Sequence, residues 1–214
     1  MNDPTVKFSH GDSVISAYDS GLDLEVFGSY AARLSIKGSD LDLRVNDFYS
    51  YRYIDLEKIS NNLTYNSLSW GNSFGGKDRI RIIEVLKRTR MPIIKCQDTK
   101  TDIEFDISTG TSAVNRRHIE ICRKAQKHWT GLHHLMLALK YYLKVRDCDK
   151  SFTGGISSFL LFYLIVGFYQ NRHARIAKYL NRPELIQFFK FYARFNEQKD
   201  GICIDLSELY PDQY

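Results

Sequence analysis

A glycine, a serine and two aspartates near the amino terminus could together hold a phosphorylated substrate over metal ions. An apolar run leads directly into Gly28 and Ser29, and Asp40 and Asp42 follow after a short segment. Glycine lets the backbone turn sharply toward a phosphate, and the serine hydroxyl and the first amides of a helix expected over residues 30–34 can bind that anion. Paired carboxylates bind Mg²⁺. The pattern predicts the chemistry of nucleotidyl transfer.

The alternation of side chains along the second predicted strand makes the carboxylate pair specific. Successive strand residues point to opposite faces, so Asp40 and Asp42 share one face. The residues of the other parity are apolar and are expected to enter a core: Leu41, Leu43 and Val45. Two adjacent carboxylates on one face repel each other unless a cation lies between them. A solvated polar strand face is the alternative, and the preceding Gly-Ser pair disfavours it.

A two-metal site normally needs one more carboxylate, contributed by a neighbouring strand. The run over residues 103–108 supplies a candidate, because apolar residues alternate there with Glu104, Asp106 and Ser108. Periodicity alone does not choose between Glu104 and Asp106. A short aspartate at the far end of the strand, followed by a serine and a turn, suits inner-sphere Mg²⁺ better.

The composition is that of an ordinary folded protein. The 214 residues are 43% hydrophobic and 26% charged, and this length allows one large or two small domains. The net charge of +5 is compatible with a polyanionic substrate but does not prove one. Four cysteines without short paired spacing favour a reducing compartment. The most apolar run, residues 156–169, is shorter than the about 20 residues that cross a bilayer, so a buried helix is predicted.

The predicted elements change character once along the chain. Short β-rich segments extend to about residue 110, and helical periodicity begins near residue 113. The predicted fold is α+β: a mixed-sheet palm over residues 1–112 and an all-helical domain over residues 113–214, with the active site in the cleft between them. Strands are expected at 23–28, 40–46, within 79–97 and at 102–108, helices at 54–64, 113–127, 131–146, 156–170, 172–181 and 183–197, and a glycine-rich loop at 70–76.

The helical half contains a cationic stripe that could bind phosphate. Lys140 and Lys144 are four residues apart and therefore share a helix face, with Arg146 nearby. Such a stripe could bind the β- and γ-phosphates of a nucleotide. The solvated face of an ordinary helix is the alternative.

A Gly-Gly turn at residues 154–155 opens the next predicted helix, whose first turn carries two hydroxyls and an aromatic ring. One interpretation is structural, with Ser157 as the capping residue and Phe159 in the core. The other interpretation places a hydroxyl on the triphosphate and stacks the ring of Phe159 on the incoming base. The sequence leaves both open.

These motifs resemble those of the DNA polymerase β-like nucleotidyltransferase superfamily, through the Gly-Ser pair, Asp40-x-Asp42 and Asp106. Within it, the chain is most similar to template-independent RNA terminal nucleotidyltransferases, and above all to the sigma-type poly(A) polymerases. This narrower resemblance rests on the segments 91–95, 103–108, 139–146, 152–159 and 183–192. It covers roughly residues 24–204.

The resemblance implies a role for each candidate residue. Asp40 and Asp42 would hold two Mg²⁺ or Mn²⁺ ions, and Asp106 would hold the one that activates the RNA 3′-hydroxyl. That hydroxyl would attack the α-phosphorus and release pyrophosphate, so that one nucleotide is added per cycle. The residues implied to bind the nucleotide are Gly28, Ser29, Asn115, Lys140, Lys144, Ser158 and Phe159.

The function implied by the resemblance is addition of AMP from ATP to RNA 3′ ends without a template. UTP is the alternative substrate, because members of this family use a further segment to choose the base and this chain stops at Tyr214. Two other functions stay open at this point. One is a small nucleotidyltransferase that modifies proteins or drugs, and the other is a catalytically weak member that acts as a scaffold.

Expected partners follow from the same resemblance. The sequence shows no zinc knuckle, RNA-recognition motif or strongly basic tail, so RNA binding by this chain alone should be weak and sensitive to salt. Sigma-type relatives rely on a separate RNA-binding subunit, so the resemblance implies a similar partner here. No membrane partner is expected. The resemblance implies a nuclear location, with the cytoplasm as the alternative.

Overall fold

The chain divides into two compact units. The first consists of residues 1–31 and 39–116, and the second of residues 32–38 and 117–214. The computed structural model describes residues 22–47, 59–61, 80–87, 92–109, 112–176, 183–196 and 198–210. The predicted glycine-rich loop at 70–76 lies outside the described residues, and of the predicted helix 54–64 only residues 59–61 are described, all three helical.

A five-stranded mixed sheet forms the first unit. Its strands are Leu22–Val26 (β1), Leu41–Asp47 (β2), Ile80–Leu86 (β3), Ile93–Asp98 (β4) and Ile103–Thr109 (β5). They lie in the order β1-β2-β5-β4-β3. β2 and β5 are parallel neighbours, whereas the other pairs are antiparallel. This sheet confirms the predicted α+β class.

One face of the sheet builds the core of the first unit. Its buried residues are Leu43, Val45, Ile59, Ile94, Cys96 and Ile107. Leu43 and Val45 have the parity that the alternation assigns to the core, so this prediction is confirmed. The residues of the other parity lie on the opposite face, and these include Asp42 and Asp106.

A one-turn helix, Gly28–Ala31 (α1), connects β1 toward β2. The sequence predicted a helix over residues 30–34, so the observed helix begins earlier and ends earlier. Arg33 adopts a left-handed backbone with φ 59°, which ends the helix before Leu34. The side chain of Leu34 instead joins the core of the second unit.

Four longer helices lie between residues 112 and 192 of the described chain. They are Ser112–His128 (α2), Leu132–Val145 (α3), Ser158–Ile176 (α4) and Glu184–Tyr192 (α5), with 3₁₀ turns at Ser151–Thr153 and Ser207–Leu209. The predicted break near residue 171 is wrong, because α4 continues to Ile176. The side-chain amide of Asn171 donates to the backbone carbonyl of Gly167, one turn earlier in the helix, at 2.9 Å. The helix predicted to reach residue 197 ends at Tyr192.

The helical unit has its own core. The buried residues at its centre include Leu132, Met136, Phe162, Ile165, Val166 and Phe168. The run predicted as a buried helix therefore supplies much of this core through α4. No helix in the described ranges is both long enough and apolar enough to cross a membrane.

Candidate active site

The parallel pairing of β2 and β5 fixes the positions of two predicted catalytic aspartates. Asp42 is the register partner of Asp106. Partner residues on neighbouring strands project from the same face, about 4.8 Å apart along the hydrogen-bonding direction. Asp40, which immediately precedes β2, is exposed, whereas Asp42 and Asp106 are half-buried. The sheet thus places side by side two carboxylates that lie 64 residues apart in the sequence.

The turn before α1 brings the backbone of Gly28 against Asp42. Gly28 has φ 64°, and a Cβ at this position would overlap the Oδ2 atom of Asp42. The backbone N–H of Phe27 donates to the carbonyl of Asp42 at 3.0 Å. Only glycine satisfies both the left-handed backbone and the close carboxylate. The Gly28 turn therefore abuts Asp42, and the half-buried Ser29 follows Gly28 in α1.

Charge on this face of the sheet is only partly compensated. Burial raises the pKa of Asp106, the nearby Asp40 and Glu104 raise it further, and Lys95 lowers it. Lys95 is the register partner of Asp106 on β4, so its ammonium group comes from the neighbouring strand. Glu104 is exposed, whereas Asp106 is half-buried and aligned with Asp42. Of the two carboxylates that periodicity could not separate, Asp106 is the one beside Asp42.

The donor set suits a hard divalent cation. Among the described residues, no three His, Cys, Asp or Glu side chains already form a metal-binding group. The backbone register nonetheless brings Asp42 and Asp106 together on one face, where burial raises the pKa of Asp106. Oxygen ligands of this type are those that Mg²⁺ and Mn²⁺ prefer. A bound cation would supply the compensating charge.

The described structure gives both predicted phosphate-binding lysines protein partners. Lys140 is only 8% exposed, and its ammonium donates to the carbonyl of Leu34 at 2.9 Å. Lys144 donates to the carbonyl of Gly38. Arg146 instead stacks over the ring of Tyr142, 3.9 Å from its centre. The three predicted cationic residues therefore do not share one contact. Lys140 and Lys144 bind carbonyls of the segment 32–38, whereas Arg146 lies over Tyr142.

Phe159 is a surface residue of the helical unit. Its side chain is 58% exposed, so the interpretation that placed it in the core is wrong. The ring packs against His118 with 4.6 Å between centroids, and against Tyr163 with 5.0 Å. Burial lowers the pKa of His118, which favours the neutral imidazole behind the ring. The ring of Phe159 is thus partly exposed to solvent, and its remaining surface packs against His118 and Tyr163.

The remaining predicted residues also lie in the helical segments. The hydroxyl of Ser157 accepts the backbone N–H of Leu160 at 3.2 Å, which confirms its capping role. Ser158 is exposed at the first position of α4. Asn115 lies on the first turn of α2, and its side chain is outside the described part.

Sequence reasoning missed three residues near these groups. Arg44 has the same parity as Asp42 and is almost completely buried, Lys95 is aligned with Asp106, and His118 supports Phe159. The parity of Arg44 was visible in the sequence, because a charged residue two positions after Asp42 must share its face. The other two positions depend on pairing and packing between distant segments.

Comparison with known proteins places these features in one family. A family model described as the central palm domain of mitochondrial-like poly(A) RNA polymerases matches residues 8–118. Poly(A) RNA polymerase protein 1 of Saccharomyces cerevisiae is 30% identical over 203 residues, which are 89% of this chain and 29% of the relative. The inactive non-canonical poly(A) RNA polymerase protein Trf4-2 of Drosophila melanogaster is 27% identical over 90% of this chain and 46% of the relative. The chain thus spans less than half the length of either relative.

Solved structures share the fold. The polymerase core of TRAMP, an RNA surveillance complex, superposes with a TM-score of 0.63 at 24% identity and covers 88% of this chain and 57% of that one. The Cid1 poly(U) polymerase superposes with a TM-score of 0.58 at 19% identity, over 75% of this chain and 46% of that one. Terminal uridylyl transferase 4 from Trypanosoma brucei superposes with a TM-score of 0.60 at 18% identity. The match covers 77% of this chain and 52% of that one.

Replacing Asp106 by Asn should stabilise the metal-free protein and weaken its binding of Mn²⁺. Burial, together with Asp40 and Glu104, disfavours the charged carboxylate more than Lys95 favours it, so the neutral amide removes an unfavourable charge. Melting temperatures with and without Mn²⁺ test this expectation: the variant should melt higher without metal and gain less from Mn²⁺. Glu104→Gln, on the same strand but exposed, is the matched control and should gain as much stability from Mn²⁺ as the wild type. An Asp106→Asn variant that gains as much stability from Mn²⁺ as the wild type would contradict the assignment.

Replacing Lys140 by Met should lower the melting temperature. The methionine keeps most of the buried stem, but the carbonyl of Leu34 loses this charged donor, which costs about 1–3 kcal/mol of unfolding free energy. Thermal unfolding measures the change. Lys150 is exposed, so Lys150→Met is the control and should leave the melting temperature unchanged. A separate titration with ATP tests the predicted triphosphate contact. An unchanged melting temperature would show that the bond to Leu34 does not stabilise the unit.

Replacing Phe159 by Ala should raise the KM for the nucleotide while hardly changing the melting temperature. Base stacking on an aromatic ring contributes about 1–3 kcal/mol, and the exposed ring contributes little to the core. Phe159→Tyr should keep the affinity because the ring face is retained. Phe189→Ala removes another partly exposed ring and is the control. A large loss of stability with an unchanged KM would count against a base platform.

Proposed function

The chain belongs to the poly(A) RNA polymerase family defined by the mitochondrial-like central palm domain, and we propose that it adds nucleotides to RNA 3′ ends without a template. The register pairing of Asp42 with Asp106 beside the Gly28 turn is the observation that carries this proposal. It supports a site in which two aligned carboxylates face a glycine turn that can approach a phosphate. The relatives named poly(A) RNA polymerase support the reaction class.

The proposed reaction assigns each part of the palm a task. Asp40, Asp42 and Asp106 would hold two Mg²⁺ or Mn²⁺ ions, which supply Lewis-acid stabilisation of the negative charge that develops on the phosphate oxygens. Gly28 and Ser29 would bind and orient the triphosphate through their backbone and the serine hydroxyl. The α-phosphorus then lies ready for attack by the RNA 3′-hydroxyl, and pyrophosphate is the leaving group.

The helical unit would bind the rest of the nucleotide. Phe159 is the proposed stacking surface for the base, since its ring is exposed on one side and supported by His118 on the other. Ser158, at the exposed start of α4, and Asn115 are proposed contacts to the nucleotide. Lys140 and Lys144 are proposed to bind the triphosphate. For this they would exchange their present carbonyl partners on the segment 32–38 for phosphate oxygens.

ATP is the proposed substrate and UTP the alternative. The named curated relatives support ATP, because they are described as poly(A) polymerases. The structural neighbours include a poly(U) polymerase and a terminal uridylyl transferase, which is why UTP is retained. RNA 3′ ends are the proposed acceptor in both cases.

An inactive scaffold is the second candidate function. It is favoured by one observation, namely that a relative 27% identical to the chain is described as inactive. Asp40, Asp42 and Asp106 are all present here, which favours activity. A separate RNA-binding subunit is a further proposal, supported by the likeness to a polymerase core that belongs to a complex. The nuclear location implied by the resemblance stays a prediction.

Extension of a 5′-labelled RNA with each of the four nucleoside triphosphates tests the proposed function. With Mg²⁺ or Mn²⁺, ATP should give a ladder of products, and Asp42→Asn should give none at equal folded concentration. A ladder with UTP alone would replace ATP by UTP. Transfer of label from the nucleotide to protein instead of RNA would favour a protein-modifying enzyme. Absence of both extension and metal-dependent nucleotide binding would favour the scaffold.

A further inference from the structure

A buried arginine lies on the same sheet face as the carboxylate pair. Arg44 is 1% exposed and is among the largest fully buried side chains of the described protein. Removing a guanidinium from water costs several kcal/mol, and only well-placed partners offset this cost. A buried charge two residues from Asp42 therefore needs an explanation that the core alone does not give.

The partners of Arg44 come from β1 and from the polar face of β2. Glu25 is its register partner on β1, and Arg116 binds the same carboxylate at 2.8 and 3.3 Å. Burial lowers the pKa of Arg44 and Arg116 lowers it further, whereas Glu25 and Asp42 raise it. Glu25 and Asp42 thus offset part of the cost of burying the positive charge of Arg44.

The flat face of the guanidinium has a different neighbour. Its central carbon lies 4.5 Å from the centre of the Phe27 ring, a cation–π distance. Phe27 directly precedes the Gly28 turn, and its backbone N–H donates to the carbonyl of Asp42. Arg44 therefore contacts Phe27, which leads into the Gly28 turn. Its positive charge also favours the ionised carboxylate of Asp42, which faces that turn.

We propose that Arg44 is a positioning residue for the reaction: its stacking on Phe27 and its charge beside Asp42 hold the Gly28 turn in register with the carboxylate pair. This inference rests on the proposed function. In this proposal Arg44 acts on the site through Phe27 and Asp42 and does not itself bind the reactants. A lysine at this position would keep the charge but would lack the planar group that stacks on the ring.

Arg44→Lys separates positioning from simple charge balance. Lysine keeps the positive charge of Arg44, so a loss of Mn²⁺ affinity in this variant would show that the Gly28 turn or the carboxylates have moved. The variant should weaken Mn²⁺ binding and lower kcat by about 10–100-fold, the usual cost of removing a group that orients metal ligands. Mn²⁺ affinity from the paramagnetic resonance of free Mn²⁺ is a readout that does not need activity. Arg81→Lys, an exposed arginine on β3 of the same sheet, is the matched control and should match the wild type.

Phe27→Leu tests the same contact from the other side and remains informative if Arg44→Lys does not fold. It should reproduce the loss of Mn²⁺ affinity and kcat, and the double variant should lose little more than either single variant. Lower melting temperatures with unchanged Mn²⁺ affinity and kcat would show a purely structural arginine and overturn the inference. Variants identical to the wild type would also overturn it. A wild type that neither binds Mn²⁺ nor extends RNA would overturn the proposed function, and this inference with it.

Discussion

The parallel pairing of β2 with β5 is the constraint on which the rest of the palm depends. A shift of this register by one residue would turn Asp42 toward the core, and a shift by two would align it with Glu104 or Ser108 instead of Asp106. The apolar residues of the opposite parity, Val45 and Ile107 among them, are buried on the other face and prevent such shifts. The same hydrophobic burial that stabilises the sheet therefore places the two carboxylates together.

That placement brings the negative charges of Asp42 and Asp106 together, and charged residues on the neighbouring strands partly compensate them. Lys95 approaches Asp106 from β4, and Arg44 and Glu25 extend the alternation of charge toward β1. Burial still leaves the pKa of Asp106 raised. A bound cation would offset this remaining repulsion, as is common where function requires charged groups to be held together.

Local pattern predicted much of the fold, but the site depends on contacts that local pattern does not contain. The alternation along residues 41–45 correctly assigned the core face of β2, because the period of two is a property of the strand itself. The choice between Glu104 and Asp106 depends on which residue pairs with Asp42, and strand pairing links distant segments. The end of α1 was missed because Arg33 takes a backbone conformation that is uncommon for a residue with a side chain. The position of Phe159 in the helical unit was likewise not predictable from local pattern. Its ring is exposed and packs against His118, which lies 41 residues earlier in the sequence.

Anomalous diffraction from crystals grown with Mn²⁺ and a non-hydrolysable ATP analogue tests the central claim most directly. The central claim is that the aligned carboxylates of Asp42 and Asp106 form a metal-dependent nucleotide site beside the Gly28 turn. It predicts Mn²⁺ peaks within inner-sphere distance of both carboxylates, with the phosphates of the analogue next to Gly28 and Ser29. Bound analogue without Mn²⁺ at Asp42 and Asp106, or Mn²⁺ only elsewhere on the protein, would contradict it.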